Sequence, residues 1–182
     1  TAELAHTVGT RLPGWRVAHA MRYGNPSMGK ALQALRDEGV RRVRVLPLYP
    51  QYSTTTTASV ADAIAKHGGG LHIEMLNDYH RDRDWAAAVA QSIRSHWEVH
   101  GRGERLLLSF HGIPQRLVDG GDPYATQCEA STVAIAEALG ISRSEILLTF
   151  QSRFGKERWL QPYTQQTLEG LARDGVRTID IA

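Results

Sequence analysis

Residues 105–116 read RLLLSFHGIPQR, an apolar run of strand length that stops on His111 and is followed at once by Gly112 and Pro114. Five other runs share its apolar, β-branched character: WRVAHAM at 15–21, VRVLPLY at 43–49, LHIEML at 71–76, EILLTF at 145–150 and VRTIDI at 176–181. Between the runs lie segments of helical period, each with one apolar face: Met28, Leu32 and Leu35; Val60 and Ile64; Trp85, Val89, Ile93 and Trp97; Tyr124, Cys128, Ile135 and Leu139; Leu160, Leu168 and Leu171. Gly39, Gly68, Gly140 and Gly175 stand where helices should stop, and Asp122 followed by Pro123 where one should start. Strands apolar throughout and joined by single helices imply an α/β, Rossmann-like fold, a mostly parallel sheet with helices on both faces. The loosest joint is HGRGER at 100–105, which divides the chain into 1–100 and 101–182.

Composition narrows the classes. The chain has 182 residues, 42% of them hydrophobic and 22% charged, enough for one sizeable core or two small ones. No apolar run approaches the roughly 18 to 20 residues that span a bilayer. The net charge of +2 is spread without a basic stripe, which argues against nucleic acid as a partner. One cysteine, Cys128, excludes an internal disulfide and any cluster held by four thiolates of this chain, and it suits a reducing cytosol. The opening residues lack an initiator Met and a signal peptide, so the chain reads as cut from something longer.

In such folds ligands gather beyond the carboxyl ends of the strands. Four loops qualify. The first, MRYGNPSMGKA at 21–31, nearly matches a phosphate-cradling loop, but Ala31 replaces the hydroxyl that would hold Mg²⁺ and Pro26 removes a backbone donor. A nucleotide-binding domain is therefore the weakest alternative, and Arg22 and Tyr23 are the more interesting residues there. The second, at 46–60, brackets Pro50 and Gln51 with Tyr49 and Tyr52 and then supplies five hydroxyls, Ser53 to Thr57. Hydroxyls at a helix entrance are expected to be N-caps, whereas two tyrosines on a stiff turn suit a large planar ligand. The third loop carries His111, for which the plain account is a strand-end ring with a backbone partner. The fourth, FQSRFGKERWLQP at 150–162, holds Gln151, Ser152, Arg153 and Trp159. Ser109 lies inside its strand without the glycines of a nucleophile elbow. His96 and His100, four residues apart with no carboxylate base between them, are expected to cover surface rather than bind zinc.

The strings YPQYSTTTT, SFHGIPQR, GDPY and FQSRFG followed by WLQPY, in this order and spacing, resemble ferrochelatase (protohaem ferro-lyase) of the Gram-negative bacterial type. The resemblance covers the whole chain as an internal fragment. It implies insertion of Fe²⁺ into protoporphyrin IX to form protohaem in haem biosynthesis, by a lyase of two similar Rossmann-like halves. On that reading 1–100 is the C-terminal part of the first half and 101–182 the N-terminal part of the second. His111 matches the family's histidine block and becomes the catalytic and metal-side residue. Arg22, Tyr23, Tyr49, Tyr52, Ser53 and Trp159 become porphyrin-binding residues, and Arg158 stands where a proline usually precedes that tryptophan.

The resemblance further implies iron as a substrate, no tightly bound cofactor, and no iron–sulfur cluster. It implies a cytoplasmic protein with scope for peripheral attachment to the inner membrane. The family's opening glycine-rich unit is expected before Thr1 and its acidic block after Ala182. The fragment is therefore expected to be impaired in catalysis and to self-associate through exposed edges, and a tetrapyrrole-binding module without catalysis stands as the alternative.

Overall fold

Two lengths of chain each pack around themselves, Thr1–Leu48 with Thr54–Asn77 and Tyr49–Ser53 with Asp78–Ala182, in a computed structural model that describes residues 1–182. The first unit contains α1 (Ala2–Arg11), α2 (Met28–Asp37), β1 (Arg42–Val45), α3 (Thr57–His67) and β2 (His72–Met75). Strands β1 and β2 are parallel, with Arg42 opposite His72 and Val45 opposite Met75. Arg42, Arg44, His72 and Glu74 point to an exposed face, and Val43, Val45, Ile73 and Met75 to a half-buried one. That alternation marks a sheet with one solvated face. The expected cover on both faces does not extend to this unit, because its strands carry Arg, His or Glu at every second position. Arg44 and Glu74 pair across the exposed face at 3.1 Å.

The run at 15–21 forms no strand. Its tie to a neighbour is one bridge between Met21 and Ser27, where the Met21 N–H donates to the Pro26 carbonyl at 2.8 Å. Extended, apolar chain becomes a strand only when a row of partners meets it, and here Arg16 turns aside to Glu38 at 2.7 Å. Helix α2 begins at Ser27, whose side chain accepts from the Lys30 N–H, and it buries Leu32 and Leu35. Gly39, just past its end, has φ +81° and fits the left-handed stop expected of it. Gly68 does not: its φ is −81°. A Cβ there would stand 2.7 Å from both the Ile64 carbonyl oxygen and Ile73 Cδ1, so glycine is needed for space and not for handedness.

The second unit contains α4 (Arg83–His100), β3 (Arg105–His111), α5 (Gln115–Asp119), α6 (Tyr124–Leu139), β4 (Ile146–Gln151), α7 (Thr164–Arg173) and β5 (Ile179–Ile181). The sheet is parallel in the order β4-β3-β5, with Leu106 opposite Ile146 and His111 opposite Gln151. Leu106 and Leu108 pack against Ala86, Ala90 and Ile93 of α4 and against Ile135, Ala136 and Leu139 of α6. On the opposite face, Ser109 and Thr149 meet Thr164 of α7 through hydroxyl contacts of 2.8 Å. Here the expected cover on both faces is present. Burying each of these leucines contributes roughly 1.5 to 3 kcal/mol relative to exposure.

The HGRGER joint belongs to this unit and is pinned. Asp180 of β5 accepts from the Gly103 N–H at 2.9 Å and from Trp97 Nε1 at 2.6 Å, and Arg102 pairs with Glu145 at 2.9 Å. The compact units therefore follow a different line from the 100/101 division: α4 packs on α6, and the chain passes between units at Leu48–Tyr49, Ser53–Thr54 and Asn77–Asp78.

Candidate functional site

Strand β3 carries His111 out of the core and leaves it exposed at the carboxyl end. Its rung partner, Gln151, ends β4, so two polar side chains open side by side from a sheet that is otherwise apolar at its centre. Gly112 follows directly, and its N–H donates to the Gln151 carbonyl at 2.8 Å. A Cβ on Gly112 would lie 3.0 Å from that carbonyl oxygen and 3.3 Å from Trp159 Cε3. The glycine thus lets the indole press against the backbone next to His111. Trp159 is half-buried, and its Nε1–H is buried without a protein partner, which separates it from an ordinary core tryptophan.

The turn that presents Trp159 is fastened to the loop after His111. Pro114 and Trp159 form an antiparallel bridge, the Gln115 N–H donates to the Arg158 carbonyl at 2.9 Å, and the Leu160 N–H to the Ile113 carbonyl at 3.0 Å. The contact uses only the carbonyl of residue 158, which arginine supplies as well as proline does. Tyr163 completes the turn, with its hydroxyl 3.4 Å from the Trp159 carbonyl.

The tyrosine-bearing segment, Tyr49 to Ser53, belongs to the same unit and is held by α6. The Tyr52 N–H donates to Gln127 Oε1 at 2.6 Å. Gln51 Nε2 donates to Ser131 Oγ at 2.8 Å, and that hydroxyl passes on to the His80 carbonyl at 3.0 Å. Ser53 Oγ donates to Asp122 Oδ2 at 2.9 Å, while the other Asp122 oxygen accepts from the Tyr124 N–H at 3.0 Å. Gln51, Ser53, Asp122 and Ser131 are all buried, so these bonds form away from competing water and fix the segment firmly. Tyr49 is left exposed and Tyr52 half-buried.

Several expectations change here. Within the hydroxyl run, Thr56, at the N-cap of α3, makes no side-chain cap bond, and the buried hydroxyls of Thr56 and Thr57 have no partner. Ser53, fully buried, anchors the tyrosine segment instead. The N-cap of α6 is Pro123, one residue past the expected Asp122; Asp122 still accepts from the Tyr124 N–H just ahead of the helix, and it also receives Ser53, a tertiary task. Arg22 and Tyr23 lie in the other unit. Arg22 forms no salt bridge; its Nε donates to the Ser59 carbonyl at 2.9 Å, and its guanidinium sits 4.6 Å from the ring centre of Tyr23, which is 83% exposed. In the GNPSMGK loop the Lys30 N–H, which a phosphate would need, is bonded to Ser27 Oγ at 3.3 Å.

Gln127 and Ser131 were not singled out as site residues. Their signal is two polar side chains at i and i+4 on a helix whose other inward positions are mostly apolar, Thr132 excepted. Cys128 is fully buried beside them, and burial pushes its thiol up to about 12, with the Tyr124 phenol raised by the same cause. A thiol so placed is inert as a metal ligand at neutral pH. His96 and His100 are exposed surface residues with ring centres 4.6 Å apart and planes tilted by 39°, and His96 Nε2 lies 3.8 Å from Asp180 Oδ1. No helix is long and apolar enough to cross a membrane.

Comparisons of the sequence with known proteins agree on one family. The family profile for ferrochelatase matches residues 1–182. Ferrochelatase from Stenotrophomonas maltophilia (strain R551-3) is 54% identical over 184 residues, which cover 100% of this chain and 58% of that protein. Ferrochelatase from Xylella fastidiosa (strain M12) is 53% identical over the same shares, and that of Vibrio atlanticus (strain LGP32) is 48% identical over 91% of this chain and 53% of its own length. The chain therefore spans little more than half the length of these relatives. A solved structure of SirB from Bacillus subtilis with Fe³⁺ superposes with a TM-score of 0.69 over 99% of this chain and 67% of its own, at 15% identity. That likeness shows a shared fold.

Proposed function

This chain belongs to the ferrochelatase family, and from that premise we propose that it serves the insertion of Fe²⁺ into protoporphyrin IX, with His111 as the residue at the metal. The observation that carries the reading is the exposed imidazole at the end of β3, followed by a glycine at which a side chain would crowd Trp159 and the Gln151 carbonyl. Metal insertion exchanges one Fe²⁺ for the two pyrrole N–H protons, which leave as 2 H⁺, while the iron sheds water. An imidazole can take up such a proton or ligate the entering metal, and it is the side chain suited to either task near neutral pH. Trp159, Tyr49 and Tyr52 offer ring faces and edges for a flat macrocycle. Ser53 acts through its buried bond to Asp122, holding the tyrosine segment rather than touching the ring. Arg22 and the exposed Tyr23 are proposed as further porphyrin contacts.

Iron enters this scheme as a substrate. The single buried cysteine gives the chain no set of thiolates for a cluster of its own. A free thiol is also in keeping with a cytoplasmic protein, where peripheral contact with the inner membrane would ease delivery of a poorly soluble porphyrin. The test is an anaerobic insertion assay read as loss of free-porphyrin fluorescence. Steady insertion of Fe²⁺, or of Zn²⁺ as surrogate, supports the reading. Absence of both porphyrin binding and insertion contradicts it.

A further inference from the structure

Helix α4 ends in a pair of histidines that the porphyrin reading does not use. His96 and His100 lie about one helical turn apart on one face, with ring centres 4.6 Å from each other. Of the eight histidines in the chain, no other two come ring to ring. Both are exposed, so neither ring is spent on packing. That task falls to Trp97 between them, whose Nε1–H donates to Asp180 Oδ2 at 2.6 Å. The Gly103 N–H donates to the same oxygen at 2.9 Å. With Oδ2 held twice, the Asp180 carboxylate is fixed in place at 12% exposure, and its Oδ1 stands 3.8 Å from His96 Nε2, a small turn of the ring away from a hydrogen bond. His100 is the last residue of the helix, and the open carbonyls of a last turn carry partial negative charge that favours a cation.

Lack of a carboxylate base between the two histidines sets aside a zinc-hydrolase motif, but chelation asks only for two ring nitrogens on one face. We propose that His96 and His100 bind one divalent transition metal, each through one ring nitrogen, with Asp180 as the carboxylate that orients His96. No three histidine, cysteine or acidic side chains gather closely enough to enclose an ion, so water completes the coordination and the site is open and exchangeable. Imidazole suits Zn²⁺, Cu²⁺ and Ni²⁺, whereas Mg²⁺ takes oxygen ligands. Asp180 stands opposite Leu106 near the start of β3. His111 lies five residues farther along that strand, roughly 16 Å at the rise of a strand. The chelate is therefore separate from the insertion site proposed above, and it stands whether or not the chain handles a porphyrin.

The test is calorimetric titration of the metal-free chain, without an affinity tag, with Ni²⁺ and, as the contrast, with Mg²⁺. The unaltered chain is compared with His96→Asn, His100→Asn and His111→Ala. The chelate predicts that the unaltered chain binds Ni²⁺ and takes up no Mg²⁺. Each of the two α4 substitutions should weaken Ni²⁺ binding on the order of 10-fold or more, because losing a ligand costs at least what losing its outer partner does. His111→Ala should keep this binding within about twofold, since the two places are too far apart to couple. A metal bound only by the folded state also raises its melting temperature. Ni²⁺ should therefore raise that of the unaltered chain and of His111→Ala, and leave the two α4 variants nearly unmoved. Ni²⁺ binding undiminished in both α4 variants, or lost in His111→Ala while they retain it, would overturn the chelate. So would uptake of Mg²⁺ to match Ni²⁺, or no Ni²⁺ binding by the unaltered chain. Equal melting temperatures of all four proteins in EDTA serve as the check on folding.

Discussion

Strands β3 and β1 are both parallel strands that follow a helix, yet they spend their residues differently. In β3 the run Leu106, Leu107, Leu108 is buried from end to end, and chemistry is confined to the last position, His111. In β1 charged and apolar residues alternate, so Arg42 and Arg44 keep one face in water along its whole length. A strand buried on both sides is a fixed platform, and whatever ends it is aimed reproducibly. The half-solvated strand supports its unit but aims nothing so firmly. The histidine, the tryptophan turn and the tyrosine segment all belong to the second unit.

Truncation offers the sharpest contrast. Leu107→Ala should cost about 2 to 5 kcal/mol, because it empties a site with no solvent access. Val43→Ala, on the half-buried face of β1, should cost no more than about 1 kcal/mol. Denaturant unfolding of the two variants checks the ordering, and equal losses would break the comparison. A smaller effect is expected from adding one methyl group. Gly112→Ala forces a Cβ against the Gln151 carbonyl and Trp159, for a cost of roughly 1 to 3 kcal/mol and a shifted tryptophan emission. Gly69→Ala, with nothing within 4 Å of its Cβ position, should be close to neutral in the same assays.

Much of this was legible in the sequence, and the exceptions have physical causes. The runs at 43–49, 71–76, 105–110, 145–150 and 176–181 all contain strands, because a leucine- or valine-rich stretch between helices has few other ways to bury itself. The run at 15–21 has the same composition and fails, since composition does not disclose whether a neighbour will pair with it. His111 stood out because a titratable ring at a strand end beside glycine and proline is a local signal, and Trp159 because it lies in a loop beyond a strand end and matches the family's tryptophan block. The bonds from Gln127, Ser131 and Asp122 to residues 51–53 span 69 to 80 positions, and no local pattern announces which distant loop a polar side chain will meet. His96 and His100 were visible as letters four apart, but that their rings stand together with Asp180 beside the first is a fact of three dimensions.

Two finer effects sharpen the picture of the second unit. Gln127→Ala removes the acceptor of the Tyr52 N–H and should destabilise by about 1 to 2 kcal/mol, while Gln127→Glu, which keeps the acceptor, should retain more of it. The smallest effect concerns pH. Burial raises the Cys128 thiol to about 12, so the folded state favours the neutral thiol. An unfolded thiol ionises near about 8.5. The contribution is therefore fully present below that pH and is lost as pH rises through the folded value. Urea midpoints between pH 8 and 11 should fall less steeply for Cys128→Ala than for the unaltered chain.

The platform view of β3 stands or falls with His111. The direct measurement is anaerobic insertion of Fe²⁺ into protoporphyrin IX, followed by free-porphyrin fluorescence, with the unaltered protein and His111→Ala side by side and their melting temperatures recorded. Because the side chain is exposed and supports no core contact, the variant should melt as the unaltered protein does. Its insertion rate should fall on the order of 10² to 10⁴, the share that a positioned acid or base commonly supplies. Insertion at an undiminished rate by the variant would contradict the assignment of the metal site to the end of β3.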